Sequence, residues 1–187
     1  MKLKRISLSI AFMTLMLAGF ACGGPVAVGG PTATYEPIPV STEAVQSLED
    51  KFDSLAAVSG EATVSITESE LTSYFNQQLE AQPDSPFSDP QVYLRDGKIN
   101  LYVTLTTNNL TANAVIIMNA AIVNNKLAVS IESANLGPLP VPQSVLESLT
   151  STINDRLIAL AGNLPTGVGL KSITIADKQL TLTAVVK

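Results

Sequence analysis

Val92-Tyr93-Leu94-Arg95-Asp96-Gly97-Lys98-Ile99-Asn100-Leu101-Tyr102-Val103-Thr104-Leu105-Thr106-Thr107 is the stretch from which the fold is read. Asp-Gly is a favoured two-residue hairpin turn because both positions tolerate positive φ. Gln91 to Arg95 and Lys98 to Thr107 are therefore predicted as the two arms of a β-hairpin. In the second arm Ile99, Leu101, Val103 and Leu105 alternate with Asn100, Tyr102, Thr104 and Thr106, so one face is buried and the other wet. The pattern continues downstream. Ala112 to Val123 is a further strand and Asn124-Asn125 a second tight turn. Leu127, Val129 and Ile131 then alternate with Ala128, Ser130 and Glu132. Long strands adjacent in sequence make an antiparallel meander.

One strand departs from this alternation. Ala114-Val115-Ile116-Ile117-Met118-Asn119-Ala120-Ala121-Ile122-Val123 is apolar on both faces except at Asn119. A strand of a half-wet sheet places polar residues at every second position. Two explanations stand open. This is a central strand with a helix over each face, or one face lines a dry groove for an acyl chain. Met118 suits both, being a flexible filler of irregular space.

Upstream, Val45, Leu48, Phe52 and Leu55 recur at helical spacing between Glu43 and Val58, with Glu43, Glu49, Asp50 and Asp53 forming a solvated acidic face. Gly60 ends this helix and Glu61 to Ile66 is a short strand. Thr67-Glu68-Ser69-Glu70 is a capping box, flanked by Ile66 and Leu71 at the staple positions. It opens a helix to about Ala81, with Leu71, Tyr74, Phe75 and Leu79 on one stripe. Gln82 to Pro90 is expected to be a loop. Downstream, Gly137-Pro138-Leu139-Pro140-Val141-Pro142 forces an extended entry into a helix reaching about Ala161. That helix carries Val145, Leu146, Leu149, Ile153, Leu157 and Leu160 on one face. Gly169 to Ala176 and Gln179 to Val186 form a last hairpin around Asp177-Lys178. The expected fold is α+β: a curved antiparallel β-meander packed against a long C-terminal helix, with two N-terminal helices.

The amino terminus sets the compartment. Lys2, Lys4 and Arg5 precede an apolar run from Ile6 to Phe20, the pattern of a secretory signal. The run is short for a membrane helix, which needs roughly 20 apolar residues. Leu17-Ala18-Gly19-Phe20-Ala21-Cys22 resembles a lipoprotein cleavage box, although Phe20 and Gly19 depart from its usual small and aliphatic residues; an ordinary signal peptide cut after Ala21 is the alternative. The expected organisation is a signal peptide over 1–21, a lipidated Cys22 with a Pro/Gly-rich tether over 22–41, and one α+β domain over 42–187. An extracytoplasmic protein, lipid-anchored to a bacterial cell membrane, follows.

Composition narrows the chemistry. Loss of Lys2, Lys4 and Arg5 leaves 8 basic against 16 acidic residues, a net charge of −8. An acidic chain without a basic run lacks the footprint for nucleic acid. The chain has no histidine, and Cys22 is its one cysteine. Ser-His and Cys-His nucleophile pairs and imidazole metal sites are thereby excluded. No Gly-x-Ser-x-Gly elbow and no phosphate-cradling loop is present. No catalytic set, cofactor or metal site is expected.

Val64-Ser65-Ile66-Thr67-Glu68-Ser69-Glu70-Leu71, the Val92 to Ile99 hairpin, Leu136-Gly137-Pro138-Leu139-Pro140-Val141-Pro142 and Leu164-Pro165 occur in an order that resembles the YpmS-like family of membrane-anchored extracytoplasmic proteins. The strand–Gly–Leu-Pro–x-Pro–helix junction is also similar to that of periplasmic phospholipid-binding proteins of the LmeA kind. That likeness implies a tubular lipid-binding fold, in which a curved sheet wraps a long helix around a greasy channel. It carries no catalytic residues. The expected function is non-catalytic binding of a lipid or other apolar ligand between the sheet and the C-terminal helix. Ile116, Met118, Ile122, Leu149, Ile153 and Leu157 are expected to line the site. A scaffold lipoprotein that binds a protein partner through the Asn100, Tyr102, Thr104 and Thr106 face or an uncovered sheet edge is the alternative.

Overall fold

A computed structural model describes residues 26–27, 29–57, 59–82, 85–107, 110–137, 139–140, 143, 147, 150–151, 154 and 168–186. The elements in chain order are β1 (Val26–Ala27), α1 (Thr42–Ala57), β2 (Gly60–Thr67), α2 (Glu68–Glu80), β3 (Phe87–Arg95) and β4 (Lys98–Thr107). They are followed by β5 (Leu110–Val123), β6 (Lys126–Leu136), β7 (Leu139–Pro140), β8 (Val168–Ala176) and β9 (Gln179–Val186).

The meander forms as the alternation requires. β3, β4, β5, β6 and β7 follow one another in a single sheet, and β1 joins it by pairing in parallel with β5. The turns are positive in φ at Asp96 and Gly97 and at Asn124 and Asn125. This is the mirror-image turn geometry whose twist matches that of paired strands. β3 is longer than expected: Phe87 to Pro90, placed in a loop by its prolines, belongs to the strand. Pro90 is tolerated because β3 is an edge strand and its register shifts between Ser88 and Gln91.

A second irregularity keeps the sheet two-faced. Ile117 pairs with Ser133 but Met118 pairs with Ile131, so β6 carries one extra residue at this bulge. Side chains alternate with period two, and the insertion moves the buried set from odd to even positions. Leu127, Val129 and Ile131 before the bulge thus share a face with Ala134 and Leu136 after it.

The expected fold class is corrected in two respects. The terminal hairpin does not extend the meander. β9 lies between β2 and β8 in a separate three-stranded sheet, with Val64 opposite Leu182 and Ile66 opposite Leu180. These partners lie more than a hundred residues apart, a pairing that local patterning does not encode. Secondly, the described residues contain no long C-terminal helix: they form mostly antiparallel sheet, with α1 and α2 as the helices of described extent. Of the residues expected in that long helix, Gln143, Glu147, Thr150, Ser151 and Asn154 are described, each helical. Thr150 and Asn154 reach the meander at the backbone edge of β6.

The two sheets, α1 and α2 meet in the larger of two apolar clusters. Leu48 and Leu55 of α1, Val64 and Ile66 of β2, and Leu180, Leu182 and Ala184 of β9 pack with Val92 and Leu94 of β3. Phe52, on the expected apolar stripe of α1, is instead exposed at 39 %. The capping box forms: the Thr67 hydroxyl accepts from the Glu70 amide at 3.3 Å, and Glu70 Oε2 accepts from the Thr67 amide at 2.8 Å. The same carboxylate then fastens α1. Glu70 Oε1 accepts from Lys51 Nζ and from Ser47 Oγ, each at 2.6 Å. Burial raises the Glu70 pKa, but the bonds from Lys51, Ser47 and Thr67 outweigh it and hold the carboxyl below its ordinary 4.5.

Candidate functional site on the meander

Strand pairing assembles one continuous apolar face. Leu94, Ile99, Met118 and Ile131 stand side by side across β3 to β6. The next row is Val92, Leu101, Ile116 and Ala134, and beyond it come Val103, Ala114 and Leu136, then Leu105 and Ala112. From Ala112 to Ile122 the face runs roughly 33 Å along β5 at about 3.3 Å per residue. One leaflet of a bilayer core is about 15 Å deep, so the face is long enough for an acyl chain. Alanines at 112, 114, 120 and 134 keep it low between the branched side chains.

Both edges of this face are sealed by the same device. On β3 the Val92 N–H donates to Thr72 Oγ1 at 3.0 Å and the Leu94 N–H to Glu68 Oε1 at 2.7 Å. On β6 the Val129 N–H donates to Asn154 Oδ1 at 2.8 Å and the Ile131 N–H to Thr150 Oγ1 at 3.1 Å. In each case two helical residues four apart serve two strand residues two apart. The spacings agree: about 6 Å along a helix and about 6.6 Å along a strand. Edge amides that would otherwise recruit another chain are thereby satisfied. Thr72 is fully buried, although helical periodicity assigned the core stripe of α2 to Leu71, Tyr74, Phe75 and Leu79.

The opposite face is mostly polar on β3 and β4 but carries Val115 and Ile117 on β5, and the segment before α1 lies on it. Tyr35 packs against Tyr93 with ring centroids 4.9 Å apart and planes tilted by 44°, and the Arg95 guanidinium lies 4.7 Å from the Tyr35 ring. Arg95 is paired with Glu68. Gln91 binds Ile38 at both ends of its amide, accepting from the backbone N–H and donating to the carbonyl. Gly30 lies against Asn113 so closely that a Cβ would meet the Asn113 carbonyl oxygen at 2.4 Å. This explains a glycine there better than turn geometry does.

Of the residues expected to line the site, Ile116 and Met118 belong to a cluster with Val129, Ile131 and Ala134. Ile122 is on the same face but packs toward the core beneath the second sheet. Leu149, Ile153 and Leu157 lie outside the described residues, as does Cys22. Sequence reading missed Thr150 and Asn154. Their signal was a polar pair four apart, each directly following an apolar position of the helical stripe. A depression of about 590 Å³ along α1 is lined by Thr42, Glu43, Gln46, Ser47, Asp50, Lys51 and Ser54. That lining is polar and offers an acyl chain nothing.

Much of this face is buried: Val92 and Leu94 are packed in the main core, and Met118 and Ile131 are 6 % and 8 % exposed, whereas Ile99, Leu101 and Ile116 are half-buried. A family model of LmeA-like phospholipid-binding proteins matches residues 21–185, nearly the whole chain. The chain belongs to the LmeA-like phospholipid-binding family. Lipid binding is supported by this LmeA-like membership, and the LmeA part of the sequence resemblance holds; the YpmS-like part is not confirmed. No curated protein and no solved structure matches the LmeA-like chain.

Proposed function

We propose that this protein is a non-catalytic, extracytoplasmic lipoprotein, tethered through acylated Cys22, that shelters a phospholipid acyl chain on the apolar face of its meander. The observation that carries this reading is the apolar face that strand pairing continues from β4 to β6, beside the core-packed Val92 and Leu94 of β3 and across the bulge at Ile117. Ile116 and Met118 stand at its centre. Each buried methylene contributes about 0.8 kcal/mol, so ten sheltered carbons give about 8 kcal/mol before the costs of association. Polar contact need only orient the headgroup.

Native mass spectrometry of the full chain, purified gently from bacterial membranes, tests this. A non-covalent mass excess that departs on denaturation and resolves to a phospholipid supports it. A chain that stays free of added mass after incubation with phospholipid vesicles contradicts it and favours a scaffold that binds protein.

A further inference from the structure

Among the described residues, the apolar face is closed on three sides. Its flanks are the edges capped from α2 and from Thr150 and Asn154. Its end at the β5–β6 turn carries the second sheet, where the Leu170 N–H donates to the Asn125 carbonyl at 3.0 Å. Ile122 and Leu127 pack there against the main core. The fourth side is the opposite end, where Phe87 pairs with Leu105 and Leu105 with Ala112. Phe87 shares the apolar face with its partner and is 41 % exposed. At this same end β1 pairs with Leu110 and Thr111, so the chain enters the sheet there. Val26 is four positions beyond Cys22. At no more than about 3.6 Å per residue these positions span about 14 Å, half of a hydrocarbon core roughly 30 Å thick.

We infer that this end of the meander docks on the membrane surface, with Phe87 in the interface, and is where an acyl chain passes between the bilayer and the apolar face. The inference rests on the lipoprotein reading, because Cys22 supplies the anchor. An aromatic ring at the rim of an apolar track, beside the anchoring segment, lowers the exposure of hydrocarbon during transfer. The far end, where Val123 is 53 % exposed, then faces away from the bilayer.

The chain has no tryptophan, so Phe87→Trp and Val123→Trp each give a single fluorescent reporter. The two sites are roughly 35 Å apart along the sheet. Both are exposed, so neither substitution enters the core. Each full-length variant is purified from membranes, its intact mass measured, and the protein reconstituted into phosphatidylcholine–phosphatidylglycerol vesicles with brominated acyl chains. The expected result is an acyl mass on Cys22, with emission from Phe87→Trp quenched severalfold more than that from Val123→Trp. Acylated protein with equal or stronger quenching at Val123→Trp overturns the orientation and leaves the lipoprotein reading standing. Protein without an acyl mass overturns both.

Discussion

The Asn154 side-chain amide is bonded at both ends to the backbone of Val129, donating to its carbonyl at 2.5 Å and accepting from its N–H at 2.8 Å. The side chain stands in for a neighbouring strand. Both Val129 groups lie on the outer edge of β6, so removing the amide strands a donor and an acceptor together. Asn154→Ala is expected to lower the unfolding free energy by about 1–3 kcal/mol, measured by urea denaturation. The Val129 amide should also exchange faster with solvent. Unchanged exchange at Val129 would mean that water or another group replaces Asn154 without loss.

The β3 edge provides a parallel test. Thr72 is fully buried and its hydroxyl accepts from the Val92 amide. Thr72→Val keeps the shape but removes the acceptor, and should cost about 1–3 kcal/mol. Thr72→Ser keeps the hydroxyl and should cost less than Thr72→Val. The reverse order would show that methyl packing outweighs the edge bond.

Glu70 links stability to pH. In the folded chain its carboxyl binds a proton less readily than in the unfolded chain, because Lys51, Ser47 and Thr67 bond to the charged form. Its contribution is therefore complete above the unfolded value near 4.5 and declines as pH falls through the lower folded value. Glu70→Gln should lower the melting temperature at pH 7 and flatten its fall below about pH 4.5. A variant with the wild-type slope would assign that acid sensitivity to other carboxylates.

Ile116 and Ile117 are neighbours on opposite faces of β5, both half-buried. Ile116→Asp places a charge on the apolar face and should reduce co-purified or vesicle-acquired lipid at least tenfold, a loss of about 1.4 kcal/mol or more. Ile117→Asp changes the same strand on the other side and should retain lipid. Equal losses in two folded variants would remove the apolar face as the binding surface.

Much of the meander is legible in the sequence because its signals are local. Asp96-Gly97 and Asn124-Asn125 carry the turns, alternation from Ile99 to Thr106 carries the face, and Thr67 to Glu70 carries the capping box. What was not legible is non-local. Nothing near Gly60 to Thr67 indicates that this strand pairs with Gln179 to Val186. The bulge at Ile117 becomes visible only when Ile131 and Ala134 are seen to share a face. Thr72 and Thr150 escaped because hydrophobic periodicity ranks residues by apolarity, whereas these act by accepting edge amides. The apolarity of Ala114 to Val123 was read from sequence with two explanations. β5 is indeed an interior strand, and the face bearing Ile116 and Met118 is the one that continues across its neighbours.

The most direct measurement is photocross-linking of the full-length protein with a phospholipid carrying a diazirine on its acyl chain, followed by peptide mapping. Labelling concentrated on the apolar-face residues of 99–105, 112–122 and 127–136 is the expected result. Labelling spread over the polar face or along α1, or none above that of a lipid-free control, would contradict an acyl chain sheltered on the meander.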